Sequence, residues 1–589
     1  MASRSLRALA TVFVLASEAV AQSTNETVWS SFAYVFYGER TPLQGALSPS
    51  LTPLGAQQLY SQGSLFRARY LSNSSLSNED NAITTNAPIA GIERLALDNS
   101  QLAIYSTADD YVVGGALAFL QGLYPPVSRT FAYSNGGENA SILANGTMVD
   151  YPLDGYQYPN IQSLPSTDLN SVWLEGHTAC AEYRSSSVTF RTSLIAEQMY
   201  NATLAFYETT FGDVFPNTLS NAMLNFDYAY DLYDYAQYYY DHDDSVRETL
   251  NEDRLAILRE LADDQQFDLN GNLSASGSQE GDMIRAVAGR TLAAKVVAQL
   301  SAHIHSGGTA NKMTLMFGSF EPFLAFFSLS DLANTATSGL FRQIPEPGSA
   351  MVFELFSTVN DSTYPQEDEL WVRFLYRNGT ASDAPLTEYP LFGRGNSETR
   401  MRWTDFQDDI SKFSIQEVST WCDLCSSITL FCDSLRYSSG SSSGSLDGSN
   451  GNGNNNASLS APVAGVIGAV TTLAVLALAG TTAFVFGGLR IRRKDYSDAA
   501  RRRSSLGGFK GAEKMASDHD VSIAKSGVRH ERVGSWELSG PNPVTTPAPA
   551  TVAEGTPSGL FGASIRHHQR DDDVDSIVGA TPVSPVERV

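Results

Sequence analysis

Apolar residues in the amino-terminal part of the chain follow two patterns, and each predicts a type of element. Continuous apolar runs typical of buried strands cover 31–36, 313–317, 350–355 and 370–375. Apolar residues at helical spacing cover 54–70 and 291–305. Because strands alternate with helices, we expect an α/β domain over 22–436, in which helices cover a sheet and a helical insertion adds length.

The first apolar run of the chain has the features of a targeting signal. Arg4 and Arg7 precede the apolar stretch 9–15, and the small residues 19–21 follow it. A short apolar run between a basic start and small residues is typical of a cleaved secretory signal. We therefore interpret 1–21 as a signal peptide.

A second, longer apolar stretch, 461–489, contains no charged residue. At about 1.5 Å per residue it is long enough to cross a hydrocarbon layer of about 30 Å. Basic residues follow directly, which places the carboxyl side in the cytoplasm: Arg490, Arg492, Arg493 and Lys494. The expectation is a single-pass protein of the plasma membrane or a secretory-pathway membrane, with its amino-terminal domain extracellular or lumenal. Composition predicts a Ser/Gly/Asn-rich stalk at 437–460 and a disordered cytoplasmic tail at 490–589.

Glycosylation sequons agree with this topology, because all of them precede the predicted membrane span. They begin at Asn25, Asn73, Asn139, Asn145, Asn201, Asn272, Asn360, Asn378 and Asn456. This one-sided distribution predicts a glycoprotein.

The four cysteines also lie in the part predicted to be exported: Cys180, Cys422, Cys425 and Cys432. In an oxidising compartment they predict two disulfides, with three possible connectivities. The Cys-x-x-Cys pair also suits zinc or thiol exchange, but no second such pair or nearby histidine supports a metal site.

Composition and charge exclude some functions. Hydrophobic residues make up 42% of the chain and charged residues 17%, which suits a large core. The formal charge of −25 argues against a nucleic-acid partner, which requires a basic face. Of the eight histidines, those outside the predicted tail are His177, His242, His303 and His305. No residue pattern predicts a metal or a cofactor.

Several segments, in order, resemble the histidine acid phosphatase family, in the branch of fungal phytases and secreted acid phosphatases. Residues 36–42 resemble its R-H-G-x-R-x-P signature, and 51–55 resemble its L-T-x-x-G helix start. Residues 106–111 resemble the segment with a third phosphate-binding arginine, and 352–355 and 372–379 resemble its closing strands. The resemblance implies the histidine-phosphatase fold and an extracellular fungal protein.

The same resemblance implies that the catalytic motifs are degenerate. The family uses a histidine nucleophile held among arginines, and a later His-Asp pair that supplies the acid. Tyr37 stands at the nucleophile position, Phe36 at the arginine before it and Tyr111 at the third arginine, whereas Arg40 matches. The His-Asp pair falls at Ser319-Phe320, with Glu321 one place beyond as a possible replacement for the acid.

These substitutions predict an apolar pocket in which Arg40 is a polar anchor, lined by Phe36, Tyr37, Tyr111 and Phe320. Such a pocket suits a sugar or another planar ligand better than a phosphate. One alternative makes Tyr37 the nucleophile, with Arg40 lowering its pKa.

The remaining histidines have structural interpretations. His303 and His305 are predicted to cap a helix end or to lie on the surface, and His177 has no motif around it. His242 lies in an acidic stretch that predicts a solvated helix face, although its carboxylates suit a divalent cation.

The resulting hypothesis is a non-catalytic surface protein that binds an unknown extracellular ligand or signals through its tail. The alternative is an acid phosphatase with displaced catalytic residues, and a third interpretation makes the ectodomain a glycosylated spacer.

Overall fold

A computed structural model of the chain describes residues 26–45, 48–72, 84–334, 338–358 and 363–440. The predicted signal peptide (1–21), membrane span (461–489) and tail (490–589) lie outside the described residues, as does most of the predicted stalk. Within the described ranges, no helix is both long enough and apolar enough to cross a membrane.

One mixed sheet organises the domain. Its strands, β1 to β8 in chain order, are Thr27–Phe36, Leu102–Thr107, Ile161–Leu164, Met313–Gly318, Ala350–Ser357, Leu370–Arg377, Thr387–Tyr389 and Arg400–Arg402. Their spatial order is β3-β2-β4-β1-β5-β6-β7, and β8 also pairs with β6. Strands β3, β2, β4 and β1 are parallel neighbours, whereas β5 to β8 pair antiparallel.

Helices pack around this sheet. Helices α1 to α13 are Pro53–Phe66, Asp110–Leu123, Pro152–Gly155, Ala181–Arg191, Leu194–Val214, Ala229–His242, Asp244–Asn270, Val287–His305, Glu321–Leu329, Ser338–Arg342, Trp403–Ser411, Val418–Leu424 and Leu430–Gly440. The turn α3 has left-handed residues inside it, and α7 is kinked at Asn251. Shorter 3-10 turns are Tyr133–Asn135, Gly137–Ser141, Leu169–Trp173, Asn221–Met223, Phe226–Tyr228, Ile284–Ala286, Leu332–Asn334 and Glu367–Glu369, and a π turn, Arg67–Leu71, extends α1.

The predicted α/β class is confirmed, and so are the individual elements. Each apolar run predicted as a strand lies inside β1, β4, β5 or β6, and the two predicted helices correspond to α1 and α8. The predicted helical insertion corresponds to α4 to α7, between β3 and β4. The last helix continues to Gly440, four residues into the predicted stalk.

The two predicted disulfides are confirmed. Cys180 pairs with Cys425, and Cys422 pairs with Cys432. The first bond joins two positions 245 residues apart and so fastens the carboxyl-terminal helices to the start of α4.

A buried ion cluster lies at the centre of the antiparallel half of the sheet. Glu354 of β5 has no exposed side-chain surface. Arg69 contacts its two oxygens at 2.5 and 3.0 Å, and Arg373 of β6 contacts it at 2.5 Å. The Tyr70 hydroxyl donates a further hydrogen bond of 2.6 Å. The cluster therefore joins the end of α1 to β5 and β6.

Candidate functional site

The candidate site lies where the parallel strands end. Phe36, the last residue of β1, is in register with Gly318, the last residue of the neighbouring strand β4. On the other side of β4, strand β2 ends at Thr107. The segments that follow these three strands therefore meet at one edge of the sheet, the usual position for ligands in open α/β folds.

Close packing against α1 fixes the segment after β1. A Cβ atom on Gly55 would lie 2.0 Å from the Glu39 carbonyl oxygen, and one on Gly38 would lie 2.3 Å from the Gly55 carbonyl oxygen. Thr52 caps α1 by accepting a 3.0 Å hydrogen bond from the Gly55 amide. Gln58 accepts another of 2.8 Å from the Glu39 amide. Thr52 and Gly55 thus hold in place residues 36–42, the segment that resembles the family signature.

Arg40 is buried in this segment, with 4% of its surface exposed. Its Nη1 lies 3.0 Å from Asp234 of α6. Its Nη2 donates to the Tyr37 hydroxyl at 3.2 Å and to the Tyr230 hydroxyl at 3.4 Å. Burial alone would lower the pKa of Arg40, but the tyrosine hydroxyls and Asp234 raise it above its ordinary value. The guanidinium is therefore charged and its charge is balanced from within the protein.

Arg40 lowers the pKa of Tyr37, as expected, but it does not bring this pKa below its ordinary value. Burial raises the pKa of the Tyr37 phenol, and Asp234 and Glu321 act in the same direction, so that the opposing effect of Arg40 is outweighed. A phenol that resists ionisation is a poor nucleophile.

The predicted aromatic cluster forms. The ring centroids of Phe36 and Phe320 are 5.9 Å apart, and those of Tyr37 and Tyr111 are 5.0 Å apart. The Arg40 guanidinium lies 5.3 Å from the Tyr37 centroid and 5.7 Å from that of Tyr111. The structure therefore brings the predicted aromatic side chains together near Arg40.

The predicted lining of the pocket is only partly correct. A cavity of about 410 Å³ opens beside Phe36, Tyr37 and Arg40, but Tyr111 and Phe320 pack behind it and do not line it. Its other wall comes from α6, α7 and the segment 344–347. The predicted pocket missed this wall because it was placed from motif positions alone, and no motif marks α6.

Residues 22–377, more than half of the chain, match the sequence profile of the histidine phosphatase superfamily (branch 2). The chain belongs to this superfamily. Similar solved structures include the phytase from Citrobacter braakii, with 13% identity and a TM-score of 0.41 over 67% of this chain and 99% of that chain. The multiple inositol polyphosphate phosphatase from Bifidobacterium longum, in complex with inositol hexasulfate, has 13% identity and a TM-score of 0.37 over 69% of this chain and 96% of that chain. Comparison with curated proteins gave no match.

Two histidines of this histidine phosphatase superfamily member lie closer to the site than the sequence predicted. His242, at the end of α6, contacts both carboxylate oxygens of Glu39 at 3.1 Å and stacks on Tyr238, with centroids 4.5 Å apart. His177, for which no role was predicted, has its Nε2 3.8 Å from Glu321. Neither contact is visible in the sequence, because each joins positions far apart in the chain.

The pair of His177 and Glu321 belongs to a polar cluster behind the aromatic side chains. Burial raises the pKa of the neighbouring carboxyl group of Glu175, and Glu321 adds to that rise whereas His177 opposes it. Ser319, the residue after β4, has a buried hydroxyl. An interaction with this hydroxyl acts to lower the pKa of Glu175. Within the described part of the chain, His177 Nδ1 and Glu321 Oε2 have no hydrogen-bond partner.

The other two histidines lie near the end of α8, as predicted. His305 is exposed and bonds to the Ser301 carbonyl at 2.7 Å. His303 is fully buried, rather than on the surface, and bonds to the Ala310 carbonyl at 2.7 Å. Burial lowers the pKa of His303 to about 4.

The predicted sequons divide into described and undescribed positions. Asn25, Asn73, Asn360 and Asn456 lie outside the described residues. Asn139, Asn145 and Asn201 are exposed, and Asn272 and Asn378 are half-buried. The Asn378 side-chain oxygen accepts hydrogen bonds from Glu346, Ser349 and Tyr376. Within the described ranges, no cluster of three or more His, Cys, Asp or Glu side chains is suited to a metal ion.

Proposed function

We propose that this histidine phosphatase superfamily member is a non-catalytic binding protein, and that the cavity beside Tyr37 and Arg40 is its ligand site. The observation that carries the proposal is the state of Arg40. In phosphoryl transfer, guanidinium groups stabilise the charge of the transferred group. Arg40 is already paired with Asp234 and two tyrosine hydroxyls.

The neighbouring positions support the same proposal. Phe36 and Phe320 contribute rings where the family resemblance implies charged groups. Tyr37, at the position implied for the nucleophile, has a raised pKa. Removing a single electrostatic group of a transition-state clamp costs a factor of about one hundred or more in rate. A site that lacks several such groups together is therefore expected to have no useful phosphatase activity.

Phosphate release tests the proposal. The purified full-length protein in detergent is incubated with p-nitrophenyl phosphate and with phytate at acid pH. We expect release no faster than with a heat-denatured sample. Turnover that is abolished by Tyr37→Phe or Arg40→Ala would overturn the proposal.

The second candidate function is an acid phosphatase with displaced catalytic residues, and the pair of His177 and Glu321 favours it. At 3.8 Å the two groups are too far apart for a direct hydrogen bond, but a single bridging water would allow a proton to pass between them. This candidate predicts turnover that His177→Gln abolishes and that Tyr37→Phe leaves intact. The same assay therefore separates the two functions.

We further propose that the binding domain is a glycosylated ectodomain of a single-pass membrane protein, carried on a stalk above the bilayer. The proposal rests on the signal-like start, the uncharged stretch 461–489 and the sequons that precede it. In microsomes, protease added outside should remove only the tail of about one hundred residues, and endoglycosidase should increase gel mobility. A fully protected or fully digested chain would contradict this topology.

A further inference from the structure

The cavity that we propose as the ligand site has walls of two kinds. Four tyrosines line it: Tyr37, Tyr230, Tyr233 and Tyr238. Aliphatic side chains continue the surface: Leu54, Leu255, Ala256, Ile344, Pro345 and Pro347. A cavity of about 410 Å³ with this many aromatic rings suits a ligand with a flat, weakly polar body.

The charges that line the cavity are predominantly negative. Five carboxylates contribute: Glu39, Asp234, Asp241, Glu252 and Glu346. Arg40 and Arg259 are the only guanidinium groups in the lining as described, which leaves a formal charge of −3. Both cations are already paired, since Arg259 lies 3.0 Å from Asp263 and 3.0 Å from Glu346. Just outside the lining, Arg247 lies 3.3 Å from Asp241 and His242 lies 3.1 Å from Glu39. Among the described residues, Glu252 is thus the lining carboxylate that has no partner, and it would attract a cation and repel an anion.

Two groups in the lining remain available to a ligand. Glu252 is exposed and forms no hydrogen bond or ion pair with any residue that the structure describes. Gln58 also lines the cavity, and within the described ranges only its side-chain oxygen is used, as acceptor from the Glu39 amide. Glu252 can accept from an ammonium group, and the Gln58 amide nitrogen can donate to a hydroxyl oxygen.

We propose that the cavity binds a hydroxylated organic cation, of which an amino sugar is the simplest example, in preference to a neutral sugar or a phosphate ester. The tyrosines supply ring faces for the sugar ring and for cation–π contact with the ammonium group. Glu252 selects the positive charge, and the Gln58 amide selects a hydroxyl. This inference rests on the proposed function, because an active phosphatase would have to accept a phosphate ester in the same cavity.

Three ligands with the same ring test the charge preference. The full-length protein in detergent is titrated with glucosamine, glucose and glucose 6-phosphate at about pH 6, where the amine is protonated. Binding is followed by ligand-observed NMR, and released phosphate is measured in the same samples. We expect glucosamine to bind about tenfold more tightly than glucose, and glucose 6-phosphate to bind most weakly.

A matched pair of variants tests whether Glu252 is responsible for the preference for glucosamine over glucose. Glu252→Gln should weaken glucosamine binding about threefold and leave glucose binding unchanged, since one partly exposed charge pair is worth a few-fold in affinity. Glu248→Gln removes an exposed carboxylate from the same helix, away from the cavity, and should change neither.

The outcomes separate this inference from the proposed function. Equal binding of glucosamine and glucose, tightest binding of glucose 6-phosphate, or no binding of any of the three would overturn the inference. Equal effects of the two variants would overturn it as well. Phosphate release from glucose 6-phosphate would instead overturn the proposed function, whatever the order of affinities.

Discussion

Glu354 is the residue whose replacement should reveal most about the stability of the domain. Its side chain is fully buried and accepts charged or neutral hydrogen bonds from Arg69, Arg373 and Tyr70. The substitution Glu354→Gln keeps the shape of the side chain but removes its charge. It leaves two buried guanidinium groups without the carboxylate that both of them contact.

The pKa of Glu354 gives the expected magnitude. Burial alone would raise this pKa, but the coulombic effects of Arg69 and Arg373 and the hydrogen bonds lower it from 4.5 to about 2. A difference of about two and a half pKa units corresponds to about 3 kcal/mol, at 1.36 kcal/mol per unit. Removal of one partner of a buried ion pair costs about 3–5 kcal/mol. We therefore expect Glu354→Gln to lower the free energy of unfolding by at least about 3 kcal/mol near pH 7.

The direction of the pKa shift of Glu354 determines how the loss of stability in Glu354→Gln depends on pH. Because the folded-state pKa is depressed, the stabilisation is fully present above the unfolded pKa of about 4.5 and is lost as the pH falls towards 2. The difference between the wild type and Glu354→Gln should therefore shrink over this interval. Urea denaturation followed by tryptophan fluorescence, repeated across the interval, measures both quantities.

Glu138→Gln is the control. Glu138 and Arg129 form an exposed pair 4.0 Å apart, so that its loss should cost less than about 1 kcal/mol at any pH. If Glu354→Gln costs no more than this control, or if its cost does not depend on pH, the electrostatic account of the cluster is refuted.

Further substitutions test three other parts of the fold. The pKa of His303 is lowered to about 4 in the folded state, so the unfolded chain takes up the proton first as the pH falls. The wild type should therefore lose about 3 kcal/mol of its free energy of unfolding between about pH 6.5 and 4, whereas His303→Gln should not. Denaturation curves at both pH values measure this difference. Gly63→Ala should lower the stability by about 1–3 kcal/mol, because its Cβ would lie 1.9 Å from the Phe119 carbonyl oxygen. Gly212→Ala is the control, because its Cβ would meet nothing within 4 Å, and it should stabilise α5 by about 0.5–1 kcal/mol. Thermal unfolding measures both. Replacing Cys180 and Cys425 by serine should cost about 5 kcal/mol, because the bond closes a loop of 245 residues, and an unchanged denaturation midpoint would contradict the entropic account.

The strands could be predicted from the sequence because the central ones are buried on both faces. Val352 and Phe353 of β5 and Leu315 and Met316 of β4 are adjacent in sequence and buried together. Continuous apolar runs are the signature of such strands. Strands β3, β7 and β8, with three or four residues each, are too short to show a pattern. Strand β2 is as long as β4 and contains the apolar run 102–105, which was not predicted as a strand.

Only those residues of the candidate site that lie in recognisable motifs could be predicted from the sequence. Tyr37, Arg40 and Phe320 follow the ends of two strands, and parallel strands that end side by side bring such residues together. Tyr230 and Asp234 have no comparable signal, because they lie in a helix rich in tyrosine and aspartate whose composition indicates a solvated face. Their role depends on contacts with Arg40 across 190 and 194 residues of sequence, and local periodicity contains no information about such contacts.

Arg40 stands at the position of an arginine in the family signature, but the protein itself supplies the partners of its charge. A buried guanidinium requires an anion close by, because an unpaired charge in a poorly solvated site is costly. In a phosphate site the ligand supplies part of that negative charge, so that the empty site is electrostatically incomplete. Here Asp234 supplies it at 3.0 Å, and the Tyr37 and Tyr230 hydroxyls accept from the other terminal nitrogen. A phosphate could reach Arg40 only by displacing Asp234 into a cavity that is already negative. Under the proposed binding function, the same pairing that completes the empty site would oppose phosphate binding and would leave the carboxylates of the cavity to determine the charge of the ligand.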